Sequence, residues 1–220
     1  MKQSLFTMEH ARQLTADTYE LVLSGDTSAI TAPGQFVNIQ LPGKFLRRPI
    51  SICNWTKDAL LLLVRVVGEG THDLVRCVPG TELDVLSGLG NGFDLAKGGA
   101  HPILLGGGIG IAPLYGLAQR MLEAGIAPTV GLGFRSGGDA FYLEEFGKLG
   151  CRLMVATEDG SLGTKGFVTD LARHVPECGY AFVCGPTPML RALKAYAEEQ
   201  GIDCYLSCLL YTSPSPRDAT

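Results

Sequence analysis

The fold is decided by one stretch in the middle of the chain, His101-Pro102-Ile103-Leu104-Leu105-Gly106-Gly107-Gly108-Ile109-Gly110-Ile111-Ala112-Pro113-Leu114. Residues 101–105 predict a short buried strand, and a helix is predicted from Leu114. Glycines between a strand and a helix let the backbone approach a pyrophosphate, whose charge is favoured at a helix N-terminus. Pro113 replaces the third glycine of a G-x-G-x-x-G motif and suits a first helical turn. The stretch therefore predicts a nucleotide-binding turn, with a plain flexible connection as the alternative.

Downstream of this stretch, apolar segments with strand and helix periods alternate. Strands are predicted at 129–134, 152–157 and 180–184, and helices at 114–124, 167–173 and 188–200. Thr187 is the expected N-cap of the last helix. Such alternation is typical of a doubly wound parallel sheet with helices on both faces.

The first half of the chain has a different pattern, of short strands separated by Pro-Gly turns. Strands are predicted at 18–23, 35–41, 59–67 and 82–86. Closely spaced strands with such turns indicate a small antiparallel β-barrel. The domains expected are therefore a β-barrel at 1–97 and an α/β domain at 98–207.

Composition narrows the class of protein. The chain has 220 residues, 46% of them hydrophobic, and a formal net charge of -4. This charge argues against nucleic acid as the main partner. No apolar run reaches the ~18–20 residues that span a bilayer, and the first residues lack the layout of a signal peptide. Seven cysteines without CxxC spacing give no disulfide framework. We therefore expect a cytoplasmic protein that binds neither nucleic acid nor membrane.

Two further motifs carry candidate site residues. Arg47-Arg48-Pro49-Ile50-Ser51-Ile52 offers a guanidinium fork and a hydroxyl to a phosphate. Taken alone it is equally a surface arginine before an edge-strand proline. Cys184-Gly185-Pro186-Thr187-Pro188-Met189 follows the last predicted strand of the α/β half. Ligands bind outside the carboxyl ends of such strands, so Cys184 is expected to face the crevice. The alternative is a buried core cysteine followed by a turn.

These motifs, in this order, resemble those of the ferredoxin–NADP reductase superfamily. The shared patterns are Arg-Pro-x-Ser, Gly-x-Gly-x-x-Pro and Cys-Gly-Pro-x-x-Met. Within that superfamily, residues 4–207 most resemble the electron-transfer subunits of dihydroorotate dehydrogenase B. The more specific matches lie at 46–51, 65–71, 90–95 and 157–163.

The resemblance implies an FAD-binding barrel and an NAD(H)-binding α/β domain. The residues it implies for FAD are Arg48, Pro49, Ile50, Ser51, Arg65, Val66 and Val67, with Gly70 and Thr71 capping a short helix aimed at the pyrophosphate. Those implied for NAD(H) are Gly107, Gly108, Gly110, Ile111, Pro113, Gly185 and Pro186, with Cys184 as the catalytic residue beside the nicotinamide. Arg135-Ser136 could be a 2′-phosphate site or a solvated turn. The turn, and with it NAD rather than NADP, is preferred on the same resemblance.

The resemblance also implies a partner. Family members pass electrons from dihydroorotate oxidation to NAD+ with an FMN-containing catalytic subunit, expected in a heterotetramer, through a 2Fe-2S cluster. Here the family-like sequence ends at Ser207, the ligands of that cluster are absent, and residues 208–220 are expected to be a non-native or disordered tail. Two alternatives remain: an electron-transfer subunit of a hydrogenase or a ferredoxin:NADP transhydrogenase, and a nucleotide-sensing module that passes no electrons.

Overall fold

A computed structural model describes residues 1–175 and 178–208. The chain divides into two compact units, one formed by Met1–Gly92 and the other beginning at Phe93. This division precedes the boundary near residue 98 expected from the sequence. The Phe93 ring packs edge-on against Phe182 and Tyr205, with ring centroids 5.7 and 5.2 Å away, and this contact groups residues 93–98 with the second unit.

The first unit is a closed antiparallel barrel, as predicted. Its strands are β1 (Lys2–Gln13), β2 (Thr18–Gly25), β3 (Phe36–Gln40), β4 (Arg48–Trp55), β5 (Ala59–Arg65) and β6 (Glu82–Leu89), and helix α1 (Glu69–Val75) follows β5. The strand order is β1-β2-β5-β4-β3-β6, and β6 pairs with β1 to close the barrel. Strand β1 was not predicted because only Phe6 and Met8 of its residues are buried, so its apolar alternation is weak.

The barrel core is filled by alternate residues of each strand, because successive side chains of a strand point to opposite faces. In β4, Ile50 and Ile52 are buried in the core, and Val37 of β3 lies opposite Ile50. Pro49 and Ser51 therefore lie on the outer face of the same strand. This parity decides which residues of the Arg-Pro-x-Ser motif are available to a ligand.

The second unit is a six-stranded parallel sheet with helices, which confirms the predicted fold class. Its strands are β7 (Pro102–Gly107), β8 (Thr129–Phe134), β9 (Arg152–Thr157), β10 (Thr164–Lys165), β11 (Tyr180–Gly185) and β12 (Asp203–Cys208). Its helices are α2 (Ile111–Glu123), α3 (Leu143–Leu149), α4 (Val168–Ala172) and α5 (Thr187–Gln200). The sequence analysis did not predict α3, β10 and β12. The N-cap of α5 is Pro186, with extended backbone angles, rather than Thr187, which is already helical.

The sheet order is β10-β9-β8-β7-β11-β12. The chain leaves β7 for β8 on one side and later returns to β11 on the other, so the strand order reverses between β7 and β11. Ligands of such sheets bind outside the carboxyl ends of the strands at this switch point. The glycine stretch follows β7 and the cysteine motif ends β11, so both predicted nucleotide-binding motifs lie there.

Residues 209–220, nearly all of the predicted tail, lie outside the described part of the chain. Cys208, the first residue of the predicted tail, is described and pairs with Gly185 as the last residue of β12. Across the described residues, no helix is both long enough and apolar enough to cross a bilayer.

Candidate functional site

In the barrel unit, the Arg48 side chain lies directly over Gly70. A Cβ on Gly70 would overlap Arg48 Nε and lie 2.6 Å from its Cζ. Arg48 Nη1 donates a hydrogen bond to the carbonyl of Leu46 at 2.7 Å, and the side chain remains partly exposed. Because Gly70 has no side chain, the partly exposed guanidinium of Arg48 can lie beside the first turn of α1. A guanidinium so placed is suited to an anionic group such as a phosphate.

The first turn of α1 is closed by Thr71. Its hydroxyl accepts hydrogen bonds from the backbone amides of Val67 and Gly68, at 3.0 and 3.3 Å, and donates to the carbonyl of Gly68. The N-cap residue is Gly68, and Thr71, the third residue of the helix, accepts a hydrogen bond from its amide as the side chain of a capping box does. The capping role expected for Thr71 is therefore confirmed, whereas Gly70 lies inside the first turn and has no side chain that could cap the helix.

The two adjacent arginines have different environments. Arg47 Nη2 donates to Asp84 Oδ2 at 2.7 Å, and its Nη1 donates to the carbonyls of Asn38 and Asp84. The hydrogen bond from Arg47 holds the pKa of Asp84 below its ordinary value. Arg47 therefore ties β3 to β6 within the barrel, whereas Arg48 faces the first turn of α1.

Three of the residues expected at the FAD site have structural contacts. The Ile50 side chain belongs to the barrel core and Val66 packs against that core, so Ile50 can offer a ligand only its backbone. Arg65 Nε donates to Asp17 Oδ2 at 2.7 Å. Burial acts to raise the pKa of Asp17, but hydrogen bonds from Arg65, Thr18 and Thr15, together with the charge of Arg65, lower that pKa overall. Among the expected residues, Ser51 is half-buried on the outer face and Val67 is exposed.

An apolar loop next to Arg48 is attached to α1 by charges. Lys44 Nζ lies 2.8 Å from Glu69 Oε1 and 3.2 Å from Asp73 Oδ2, and hydrogen bonding to Glu69 raises the pKa of Lys44. The following residues, Phe45 and Leu46, are 87% and 45% exposed. Sequence analysis did not single out this loop. The sequence feature that could have indicated the loop is a pair of large apolar residues flanked by three basic residues, just before a strand.

In the second unit, the glycines after β7 have distinct surroundings. Gly108 has φ +53°, in the left-handed region, and a Cβ there would meet nothing within 4 Å. Gly110 has no such free space beside it, because a Cβ on it would overlap the carbonyl oxygen of Cys184 and lie 2.8 Å from Gly185 Cα. The open side of the turn at Gly108 can accept a pyrophosphate. Gly110 lets the turn pack against the end of β11, and the contact of its backbone with a pyrophosphate stays a prediction.

The remaining residues expected at the NAD(H) site are largely buried. Cys184 has no exposed surface, so its side chain does not face an open crevice as expected, and its contact with a nicotinamide stays a prediction. Ile111 and Pro113 are buried at the start of α2, and Pro113 has no backbone N–H to donate. Gly185 is buried and Pro186 is half-buried beside Cys184, at the end of β11.

The loop after β8 forms a small polar cluster. Arg135 Nη2 donates to Asp139 Oδ1 at 3.3 Å, and the Ser136 hydroxyl donates to Asp139 Oδ2 at 3.1 Å. The Gly137 amide donates to Ser161 Oγ at 2.7 Å, which joins this loop to the one after β9. Sequence analysis named Arg135 and Ser136 but missed Asp139. An acidic residue just after the second strand of a nucleotide-binding unit was the available signal.

The potential metal ligands of residues 1–175 and 178–208 are dispersed. No three His, Cys, Asp or Glu side chains in these ranges are grouped so that they could hold a metal ion. The described residues therefore do not fit an iron–sulfur cluster.

Comparison with known proteins gives matches over nearly the whole chain. The family model for the oxidoreductase NAD-binding domain matches residues 104–195. The dihydroorotate dehydrogenase B (NAD(+)) electron transfer subunit of Shouchella clausii is 42% identical over 208 residues, which cover 90% of this chain and 80% of that protein. The subunit of the same name from Listeria monocytogenes is 40% identical over 203 residues, covering 89% of this chain and 79% of that one.

Among solved structures, NADH-dependent reduced ferredoxin-NADP oxidoreductase, studied for flavin-based electron bifurcation, is similar in fold. It superposes with a TM-score of 0.84 at 30% sequence identity, covering 93% of this chain and 76% of that chain.

Proposed function

The chain belongs to the family of dihydroorotate dehydrogenase B electron transfer subunits, and we propose that it passes electrons between NAD(H) and a bound FAD. The electrons come from oxidation of dihydroorotate to orotate, in pyrimidine biosynthesis. The two relatives of this name described above are 42% and 40% identical, whereas the oxidoreductase linked to ferredoxin and NADP is 30% identical. This difference favours the dihydroorotate reaction over the transhydrogenase alternative.

The observation that carries the proposal is the switch point of the second unit. Strands β7 and β11 pair side by side, with Gly106 opposite Cys184, so their carboxyl ends are adjacent. The turn beyond β7 leaves Gly108 open to a pyrophosphate, and the Cys184–Gly185 segment lies next to it. A dinucleotide whose pyrophosphate lies on the turn would extend its nicotinamide towards Cys184. This arrangement is the one expected of a dinucleotide site.

The barrel unit is proposed to hold the FAD. Arg48 would pair with the pyrophosphate, the Ser51 hydroxyl would donate to the same region, and Val67 would offer an apolar surface to a ring. The position of Arg48 depends on Gly70, because Arg48 occupies the space that any side chain at residue 70 would fill. When bound, the flavin accepts two electrons as hydride and can release them singly. The residues of the chain supply binding, orientation and charge.

The relatives are named as electron transfer subunits, which implies a catalytic partner subunit. We propose that this partner carries FMN, oxidises dihydroorotate and assembles with the present chain as a heterotetramer. The 2Fe-2S cluster implied by the resemblance has no ligand set among the described residues, and it has no step in the proposed reaction of this chain.

Identification of the flavin bound to the purified chain tests the proposal. The protein, purified and then denatured, should release FAD in a ratio of about one per chain, and chromatography of the released flavin distinguishes FAD from FMN. Release of FMN, or a colourless chain that does not take up FAD on reconstitution, would exclude the proposed barrel site.

We also propose NAD(H) rather than NADP(H), because of Asp139. The Arg135 and Ser136 groups that could bind a 2′-phosphate already donate to its carboxylate. A carboxylate in this position repels a 2′-phosphate and can accept a hydrogen bond from a ribose hydroxyl.

Replacing Asp139 with Asn should therefore shift the preference towards NADPH. The substitution keeps the shape and removes the charge, so the ratio of NADPH to NADH affinity should rise about tenfold, which corresponds to ~1.4 kcal/mol. Anaerobic titration of each nucleotide against the FAD-loaded protein, its flavin reduced beforehand so that no hydride is transferred, measures the ratio. Glu144→Gln on α3 changes net charge equally and is the control. An unchanged ratio in the Asp139 variant would show that this carboxylate does not select the nucleotide.

A further inference from the structure

One side chain, Met189, fills the space above the ends of β7 and β11. Met189 lies in the first turn of α5 and is half-buried. A Cβ on Gly185 would lie 2.7 Å from Met189 Cε and 2.8 Å from its Sδ. A Cβ on Gly107 would overlap the same Sδ atom. The two strands therefore both end in glycine where the thioether lies against them.

The same two chain segments also touch directly through Gly110. A Cβ on Gly110 would overlap the carbonyl oxygen of Cys184 and lie 2.6 Å from its carbonyl carbon. Beyond the last paired residues of the two strands, Gly106 and Cys184, the turn after β7 contacts the end of β11 at two further points. One is a backbone contact at Gly110, and the other is the Met189 side chain, which contacts both Gly107 and Gly185.

The chemistry of methionine suits this position. Its side chain is unbranched and polarizable, so it can fill an irregular gap between two backbone segments without needing a hydrogen-bond partner. A charged or hydroxyl side chain there would require one. On the open side of the turn, a Cβ on Gly108 would have no neighbour within 4 Å, so this side remains available to a ligand.

We propose that Met189 is a positioning residue that holds the turn at 107–110 against the Cys184–Gly185 segment, beyond the last paired residues of β7 and β11, so that one dinucleotide can contact both. The inference rests on the proposed function, since it concerns the same NAD(H) site. The volume of the Met189 side chain is what allows one dinucleotide to contact the two segments at once. Met189 does not itself touch the nucleotide.

The test compares two ligands that differ in reach. NADH spans the turn and the Cys184–Gly185 segment, whereas ADP carries a pyrophosphate to the turn but has no nicotinamide. Anaerobic calorimetric titration of both with the FAD-loaded protein, its flavin reduced beforehand so that NADH binds without reacting, gives the ratio of their dissociation constants. Met189→Ala should weaken NADH about tenfold more than ADP, that is by ~1.4 kcal/mol of difference. Met189→Leu, which is similar in volume, should keep the ratio within about threefold of the parent.

Met154→Ala is the matched control. Met154 is also a partly buried methionine packed against the same apolar cluster, but it lies in β9, away from Gly107 and Gly185. It should lower the thermal unfolding temperature while leaving the NADH-to-ADP ratio unchanged. If Met189→Ala does not fold, Met189→Val removes most of the reach of the thioether and gives the same comparison.

Equal weakening of NADH and ADP by the Met189 variants, matching Met154→Ala, would overturn the positioning role and leave Met189 as ordinary packing. Failure of the parent chain to bind NADH at all would overturn the proposed function and this inference with it. The two failures are therefore distinguishable.

Discussion

Replacing Gly110 with Val is expected to abolish most NADH binding while the barrel keeps its FAD. The valine side chain would begin where the carbonyl of Cys184 now lies, and its neighbours are backbone atoms that cannot rotate away. The turn must therefore move off the end of β11. Overpacking of this kind costs ~1–3 kcal/mol, so NADH affinity should fall about 5- to 150-fold if that cost falls on the bound form. Titration with NADH and measurement of retained flavin follow the two effects separately.

The control is Gly147→Val on α3. This glycine is exposed and a Cβ on it would meet nothing within 4 Å, so the same substitution there has no steric cost. Its NADH affinity should match that of the parent. If Gly110→Val also binds NADH like the parent, the contact between the turn and β11 does not support the nucleotide site.

Replacing Arg48 with Ala should release FAD. The variant loses a charge-assisted contact worth ~1.5–3 kcal/mol, which predicts about 10- to 150-fold weaker FAD binding. The barrel should remain folded, because the contacts of the Arg48 side chain with Gly70 and the Leu46 carbonyl do not tie one barrel strand to another. Fluorescence titration of the apoprotein with FAD measures the loss.

Its neighbour Arg47 provides the contrast. Arg47→Ala removes hydrogen bonds to Asn38 and Asp84 and leaves the Asp84 carboxylate without its guanidinium, so the unfolding temperature should drop. The FAD affinity of the folded protein should change little. If Arg47→Ala loses FAD and Arg48→Ala keeps it, the assignment of the two arginines is reversed.

Much of the fold can be predicted from the sequence because its two halves differ in hydrophobic period. The segments at 18–23 and 59–67 alternate or run apolar as strands do, and β2 and β5 lie there. The stretch around Gly106 has the glycine content of a strand-to-helix turn. Strand β1 was missed because one of its faces is largely exposed, which leaves little pattern to detect.

The site residues are harder to predict, because a motif does not tell which atoms face the ligand. Ile50 lies within the Arg-Pro-x-Ser motif, yet strand parity places its side chain in the barrel core. Gly110 lies within the glycine stretch, yet the atoms that require a glycine there belong to Cys184, 74 positions away in the numbering. Met189 lies against Gly107, which is distant in the chain, and sequence spacing alone contains no record of such a contact. Asp139, by contrast, pairs with Arg135 and Ser136 of its own loop.

The central claim is that this one chain carries both an FAD and an NAD(H) site and moves electrons between them. Rapid anaerobic mixing of the FAD-loaded chain with NADH, followed by visible absorbance, tests it directly. We predict loss of the oxidised flavin spectrum at a rate that saturates with NADH, while FAD stays bound, and a much weaker response to NADPH. A spectrum that NADH leaves unchanged, although FAD is bound, would contradict the claim.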